Sequence, residues 1–231
     1  MLLSLKNVEK KIDGKVILPN INIDIIGGKI IGLLGPNGSG KTTLLKLIAG
    51  INHTTKGTLF LNNQPYRYPQ TSWQINYLPD SQIFPQNYRV KEAMEYYQMN
   101  FPDFDMGKMN HILNDLSIDI MTPFRNMSKG QQERVLLALV LSRKTQLTLL
   151  DEPLAAIDVL TRDEILSMLK KYIDKDSTII ISTHLIFDMQ DFFDEVIFLH
   201  QGQILLYKTV QQIYQETQND LLTYYRNFFR I

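Results

Sequence analysis

The chain has 231 residues, with 24 Lys+Arg against 24 Asp+Glu, a formal net charge of +0 and no cysteine. Its 44% hydrophobic residues are enough for a buried core, in one large domain or two small ones. The balanced charge argues against a surface built to hold nucleic acid, and the lack of cysteine excludes disulfides and thiolate chemistry. No apolar run approaches the roughly 20 residues that a membrane-spanning helix needs.

The N-terminal region predicts strands followed by one helix. Four apolar or alternating runs indicate strands: 3–8, 16–18, 29–34 and 57–61. The pair Asp13 and Gly14 is a strong hairpin turn between the first two strands. Residues 43–48 have helical spacing, and Gly50 suits the C-terminal cap of that helix.

The segment GPNGSGKTT at 35–43, between a buried strand and that helix, fits the phosphate-loop pattern G-x-x-x-x-G-K-[ST]. Its glycines let backbone N–H groups point at phosphate oxygens, while Lys41 adds a cation for the β and γ groups and the Thr42 hydroxyl can ligate Mg²⁺. The positive end of the helix faces the same anion. The sequence therefore predicts a nucleoside triphosphate site. Its candidate binding residues are Asn37, Gly38, Ser39, Gly40, Lys41, Thr42 and Thr43.

The rest of the chain alternates helical and β patterns. Residues 88–141 have a helical pattern that Pro102 and Pro123 interrupt, and 161–172 and the tail at 210–231 are also helical. Four further apolar runs indicate strands: 146–150, 178–181, 195–199 and 204–207. This alternation predicts an α/β fold with a mostly parallel sheet covered on both faces.

The strand at 147–150 runs directly into Asp151 and Glu152. Carboxylates at the carboxyl end of a parallel strand lie at the sheet edge beside the phosphate loop. Asp151 is placed to hold Mg²⁺ through its water shell, and Glu152 to orient or deprotonate an attacking water. The alternative, two acidic residues that merely end a strand, is disfavoured by the upstream loop. The pair favours hydrolysis over phosphoryl transfer to another substrate.

Residues 127–134, MSKGQQER, resemble the signature loop of ABC ATPases, commonly L-S-G-G-Q, and precede the acidic strand as in that family. Ser128 and Gln131 also form a capping-box pattern, so a well-capped helix over 132–141 is the plainer interpretation. The resemblance implies that Ser128, Gly130 and Gln131 bind the γ-phosphate held by the opposite subunit.

Two further segments fall where the ABC family places functional loops, so the resemblance to its nucleotide-binding subunits covers nearly the whole chain. AAID at 155–158 resembles the D-loop, with Asp158 near the dimer seam. ISTH at 181–184 resembles the switch segment, whose His184 would touch the γ-phosphate and the attacking water. The resemblance implies an ATPase that uses ATP and Mg²⁺. Its implied catalytic residues are Lys41, Glu152 and His184.

Three positions depart from the family pattern. Ile12 stands where an adenine-stacking aromatic is usual, which predicts weaker or less selective base binding. Asp80 replaces the glutamine of the loop that senses Mg²⁺ and meets the membrane partner; it can still ligate the metal or its water, with Gln82 as a substitute after a loop shift. Lys129 replaces a signature glycine.

The resemblance implies a P-loop NTPase fold in a single ABC nucleotide-binding domain. Residues 1–80 and 142–207 are expected to form an antiparallel β subdomain plus a RecA-like core, 81–141 a helical subdomain, and 208–231 a helical tail. The implied partners are a second nucleotide-binding subunit, in the first instance an identical copy, and an integral membrane permease. The chain would then lie at the cytoplasmic side of the cell membrane.

Residues 92–105 are similar to segments of small two-component bacterial exporters of drugs, antimicrobial peptides or toxin peptides, which favours export. The alternative is that their aromatic side chains only pack helices, as the single Trp73 is expected to pack. A soluble ABC ATPase of the cluster-assembly type also fits the length. A P-loop kinase is disfavoured by the signature segment and Glu152.

Overall fold

The structure, a computed structural model, describes residues 1–66, 74–155 and 157–230. Trp73 and Ala156 lie outside these residues. The strands are β1 (Leu3–Ile12), β2 (Lys15–Ile25), β3 (Ile30–Leu34), β4 (Lys56–Leu61), β5 (Gln64–Pro65), β6 (Ile75–Leu78), β7 (Leu147–Asp151), β8 (Thr178–Thr183), β9 (Glu195–His200) and β10 (Gln203–Thr209). The α-helices are α1 (Lys41–Ile48), α2 (Val90–Asn100), α3 (Met106–Asp115), α4 (Lys129–Leu141), α5 (Val159–Tyr172), α6 (Ile186–Met189), α7 (Val210–Thr217) and α8 (Leu221–Phe229).

The first sheet is antiparallel, in the spatial order β2-β1-β4-β5. Strands β1 and β2 form the predicted hairpin, with Ile12 opposite Lys15 across the turn at Asp13 and Gly14, both of which have positive φ. A non-local pairing sets β4 against β1, with Leu3 opposite Leu61. Leu18 of this sheet lies against the phosphate loop, where a Cβ on Gly40 would be 3.0 Å from Leu18 Cδ2.

The second sheet has the order β10-β9-β3-β8-β7-β6, and every neighbouring pair is parallel except the hairpin β9–β10. The central strands β3, β7 and β8 are almost wholly buried, as expected for strands covered on both faces. Their carboxyl ends meet at one edge, where Leu34 pairs with Thr183 and Asp151 with Ser182. The predicted α/β fold with a mostly parallel sheet is confirmed.

Helix α1 ends in the glycine cap that the sequence predicts. Gly50 has φ 76, the left-handed conformation that glycine adopts without a Cβ penalty. Its N–H donates to Leu47 O at 3.1 Å and the Ile51 N–H donates to Lys46 O at 2.9 Å. These two bonds form a Schellman motif, so the helix stops after two turns.

The helical segment contains α2, α3 and α4, with breaks at Pro102 and Pro123 as predicted. Helix α4 begins at Lys129, three residues before the expected start, because Ser128 is its N-cap. The predicted helical tail forms two helices. Helix α7 ends because Gln218 adopts the left-handed conformation at φ 56, and Asp220 is the N-cap of α8. In the described parts of the chain, no helix combines the length and apolar character that crossing a bilayer requires.

Candidate functional site

The phosphate loop connects the buried end of β3 to the first turn of α1. Gly38 and Gly40 have φ 76 and 105, values that side chains rarely tolerate. A Cβ on Gly38 would meet nothing within 4 Å, so the loop is open on that side. The Ser39 Oγ is buried and has no hydrogen-bond partner among the described residues. The loop therefore has the shape and the open polar face of an anion cradle.

Lys41 lies buried at the centre of this loop. Its Nζ donates to Gly35 O at 2.8 Å and to Pro36 O at 3.3 Å, and lies 3.7 Å from Glu152 Oε1. Burial lowers the pKa of Lys41, and the nearby Glu152 and Asp151 carboxylates oppose that shift. The cation is thus held inside the loop, where a phosphate oxygen can replace the carbonyl contacts.

Asp151 is 1% exposed and accepts hydrogen bonds from three hydroxyl groups. The donors are Ser182 Oγ at 2.6 Å, Thr42 Oγ1 at 3.1 Å and Tyr77 OH at 3.2 Å. Burial, together with the charge of Asp151, raises the pKa of Tyr77, which keeps that phenol a donor. The structure therefore brings the predicted metal residues Thr42 and Asp151 together.

The roles of Tyr77 and Ser182 escape sequence reasoning. Ser182 faces Asp151 because the two residues pair across β7 and β8, and Tyr77 stands opposite Leu149 on the other side of β7. Ser182 lies within the recognised segment at 181–184 and Tyr77 close to Asp80, but no local motif records the strand register that brings both side chains to Asp151.

Glu152 adopts the left-handed conformation at φ 50, and its side chain is 13% exposed. Its N–H donates to Ser182 O at 3.1 Å, which fixes the turn after β7. Its Oε2 lies 2.7 Å from His184 Nδ1. Because Glu152 also lies beside Lys41, the three predicted catalytic residues contact one another in the order Lys41, Glu152, His184.

Asp80 lies on the rim of a cavity of about 510 Å³ that Asp151 and Glu152 also line. Partial burial raises the pKa of Asp80, and the charges of Asp151 and Glu152 add to the shift. Gln82 lines the same cavity, but its Nε2 donates to Phe84 O at 2.6 Å. The Gln82 amide is thus bonded within its own loop, while the Asp80 carboxylate faces the acidic end of β7.

Helix α4 forms the opposite wall of that cavity with Lys129, Gln132 and Glu133. Burial, assisted by the charge of Asp80, raises the pKa of Glu133 to about 7. Glu133 belongs to the signature-like segment at 127–134, but that motif does not predict its environment, which arises only when α4 packs beside the loop at 79–86. Lys129 supplies a cation to a cavity that is otherwise acidic.

The remaining candidates lie at the N-terminal ends of α4 and α5. Ser128 is exposed and caps α4, with its Oγ accepting from Gln131 N at 3.2 Å and its N–H donating to Gln131 Oε1 at 2.9 Å. Gly130 is buried against Thr161, and Asp158 is an exposed N-cap of α5 that accepts from Thr161 N at 3.1 Å. Among the described residues, none of these groups hydrogen-bonds to the phosphate loop. The capping-box interpretation of Ser128 and Gln131 is confirmed.

The donor set fits Mg²⁺ that arrives with a nucleotide. Thr42 Oγ1 and Asp151 Oδ1 lie 3.1 Å apart and provide the oxygen ligands that this ion prefers. No group of three His, Cys, Asp or Glu side chains within the described residues could hold a metal by itself. Ile12, at the end of β1, is 39% exposed and offers an aliphatic surface where an aromatic ring is usual.

Comparison with known families identifies a relationship over most of this structure. The family model described as ABC transporter matches residues 18–155. The ABC transporter ATP-binding protein YtrB of Bacillus subtilis is 30% identical over 217 residues, covering 93% of this chain and 74% of the relative. The spermidine/putrescine import ATP-binding protein PotA of Spiroplasma citri is 32% identical over 225 residues, covering 94% of this chain and 64% of the relative.

Solved structures share the fold. An ATP-binding subunit of an ABC transporter has a TM-score of 0.85 at 21% identity and covers 98% of this chain and 99% of its own. Clostridium perfringens cbiO1, part of the ABC transporter complex cbiONQ, has a TM-score of 0.76 at 26% identity, with 94% and 92% covered. The dimeric cassette MJ0796, bound to ADP and Pi, has a TM-score of 0.76 at 24% identity, with 90% and 98% covered.

Proposed function

The chain belongs to the ABC transporter family as an ATP-binding, ATP-hydrolysing subunit, and from this premise we propose that two copies sandwich ATP and drive a separate membrane protein. The observation that carries the hydrolytic part of the proposal is the pair of contacts that link Lys41 to Glu152 and Glu152 to His184, with Nζ–Oε1 and Nδ1–Oε2 distances of 3.7 and 2.7 Å. A cation, a carboxylate and an imidazole in that order suit in-line attack of water on a phosphate.

In this proposal each residue around the phosphate loop has its own role in hydrolysis. Lys41 and the loop N–H groups bind the β and γ phosphates, and Glu152 accepts the proton of the attacking water. His184, 2.7 Å from Glu152, orients that water and the γ-phosphate. Thr42, Asp151 and, through its water, Asp80 would hold Mg²⁺, which neutralises charge that develops on the phosphate oxygens. The substrate's phosphate contacts replace the bonds that Lys41 now makes within the loop.

A second copy supplies the rest of the site in this proposal. Ser128 and Gln131 stand at the exposed N-terminus of the 13-residue helix α4 and bond to one another, not to the chain's own phosphate loop. A helix N-terminus with exposed N–H groups attracts an anion. The MJ0796 cassette, which has the same fold, is dimeric. In the pair that we propose, the two copies lie head to tail, so that this end of α4 meets the partner's γ-phosphate and Asp158 lies near the seam.

A complementation experiment tests the shared site. Lys41→Ala and Ser128→Arg chains should each hydrolyse ATP at about 1% of the parental rate or less, because each disables both sites of its own dimer. After mixing and exchange, the hybrid dimer has one site with an intact loop and an intact signature, so we expect a substantial part of the activity to return. If each variant is inactive alone and the mixture stays inactive after demonstrated exchange, both groups act within one chain and the proposal is wrong.

We further propose that the output is export through a permease. The resemblance of 92–105 to exporter subunits supports the direction, and cbiO1, 26% identical, is itself part of a transporter complex. PotA is an import protein at similar identity, so export rests on that segment alone. Purification of the tagged chain from detergent-solubilised membranes should yield a stoichiometric protein with about six apolar spans. Recovery with soluble partners only would favour the cluster-assembly class instead.

A further inference from the structure

The hairpin turn between β9 and β10 is bonded to the phosphate loop. The Gly202 N–H donates to Ser39 O at 2.9 Å, and Gly202 has φ 75. A Cβ at Gly202 would lie 2.0 Å from Ile17 O on β2, so the turn is wedged between the loop and the first sheet. Only glycine fits this position, both for its φ and for the space.

The end of β9 touches the same loop at a second point. A Cβ at Gly35 would lie 2.1 Å from Leu199 O, and one at Gly40 would lie 3.7 Å from Leu199 Cδ2. The segment 199–202 therefore meets the loop at its first residue, near its middle and at the N-cap of α1. The position of the phosphate loop is therefore set by contacts with residues 199–202, which are distant from the loop in the sequence.

Helix α8 covers the other side of this segment. Phe198 is fully buried beneath it, with ring centroids 5.2 Å from Phe228 and 5.7 Å from Phe229. The His200 ring packs on Phe229 at 5.6 Å, and its buried Nδ1 has no hydrogen-bond partner among the described residues. The orientation of His200 thus depends on packing against Phe229.

We propose that Gly202 and His200 are positioning residues for the phosphate loop, and that the C-terminal helix α8 sets nucleotide affinity by holding them. The proposal rests on ATP binding at the loop and goes beyond the proposed transport role. Loosening α8 would let the end of β9 shift and would misplace the loop N–H groups. Since those groups contact phosphate both before and during the reaction, the change should appear in KM for ATP more than in kcat.

Two phenylalanines on α8 provide a matched pair. Phe229→Ala removes the ring against His200 and should raise KM and Kd for Mg-ATP about 3- to 10-fold, with kcat within about twofold. Phe228→Ala removes a ring of the same size that contacts Phe198 and, among the described residues, makes no ring contact with His200, so it should leave both constants within about twofold. Phe229→Tyr keeps the ring and should restore the parental KM. Equal KM shifts for both alanine variants, or no shift for Phe229→Ala, would overturn the proposal.

Two glycines provide a second pair. Gly28 and Gly202 have φ 79 and 75, so alanine costs similar backbone strain at each, but only at Gly202 does the Cβ meet another atom. Gly202→Ala should weaken Mg-ATP binding at least about tenfold, while Gly28→Ala binds as the parent. Equal, parental binding by both folded variants would contradict the proposal; if Gly202→Ala does not fold, the phenylalanine pair decides. Calorimetry measures the Kd for Mg-ATP and so tests this proposal independently of hydrolysis. The proposed function, in contrast, fails if the parent binds ATP without hydrolysing it.

Discussion

Asp151 accepts bonds from three hydroxyl groups, and these bonds fix its carboxylate beside the phosphate loop. With Asp151 held in place, the next residue can turn back at φ 50 and put its carboxylate between Lys41 and His184. The proposed reacting groups are therefore positioned by contacts within the chain itself. Such preorganisation reduces the cost of arranging charges at the moment of reaction.

Glu133 makes the stability of the folded chain depend on pH. A pKa raised to about 7 means that the folded chain binds more protons than the unfolded chain between pH 4.5 and about 7. Stability from this group is therefore lost as pH rises through that window. Glu133→Gln should increase the free energy of unfolding at pH 8 by about 1–3 kcal/mol and leave it unchanged near pH 4.5.

Urea unfolding of the nucleotide-free protein at the two pH values measures this effect. Glu95→Gln is the control, since Glu95 is 52% exposed on α2 and, within the described residues, its ion pair is with Lys91 at 3.7 Å. The control should change stability by less than about 0.5 kcal/mol at either pH. A Glu133→Gln protein that is no more stable than the parent at pH 8 would refute the assignment.

At the scale of elements, one buried arginine joins the helical segment to the strand that leads to the site. Arg143 is 2% exposed, contacts Asp103 Oδ1 and Oδ2 at 3.1 and 3.2 Å, and stacks 3.9 Å from the Phe101 ring centroid. The turn between α2 and α3 is thereby fixed to the residues between α4 and β7. A planar guanidinium makes both contacts, whereas an ammonium cannot.

Arg143→Lys should lower the free energy of unfolding by about 1–3 kcal/mol, because the partly buried Asp103 carboxylate loses its two-point contact and the Phe101 ring loses its stack. Denaturant titration measures the loss. Lys144→Ala is the matched control, since this neighbour is 68% exposed and its pair with Asp105 at 3.1 Å is worth under about 1 kcal/mol. Equal losses of stability in the two variants would show that the contacts of the Arg143 guanidinium with Asp103 and Phe101 contribute no additional stability.

The elements differ in how well the sequence predicts them. The hairpin at Asp13 and Gly14, the phosphate loop and the capping box of α4 are local patterns, and the structure confirms them. The hydrogen-bond partners of Asp151 depend on strand register. The contacts between the phosphate loop and the end of β9 join residues about 160 positions apart in the sequence. Packing decides such contacts, and no short motif records them.

At the scale of the whole molecule, the two sheets meet at the phosphate loop, and helix α8 packs on the end of β9, next to the turn that bonds to the loop. The first sheet reaches it through Leu18, whose Cδ2 lies 3.0 Å from a Cβ position on Gly40, and the second through β3, β7 and β8. Among the described residues, Ser128 and Gln131 hydrogen-bond to each other and not to this loop. A molecule built in this way suits a site completed by a second copy.

The most direct test of the central claim is sedimentation of the Glu152→Gln chain with and without Mg-ATP. Without the general base, ATP should bind but turn over at least about 100-fold more slowly, so the nucleotide-sandwiched pair should persist. We expect the 26.8 kDa chain to sediment as a monomer without nucleotide and at twice that mass with Mg-ATP. A variant that binds ATP yet stays monomeric, or that hydrolyses ATP at the parental rate, would contradict the claim.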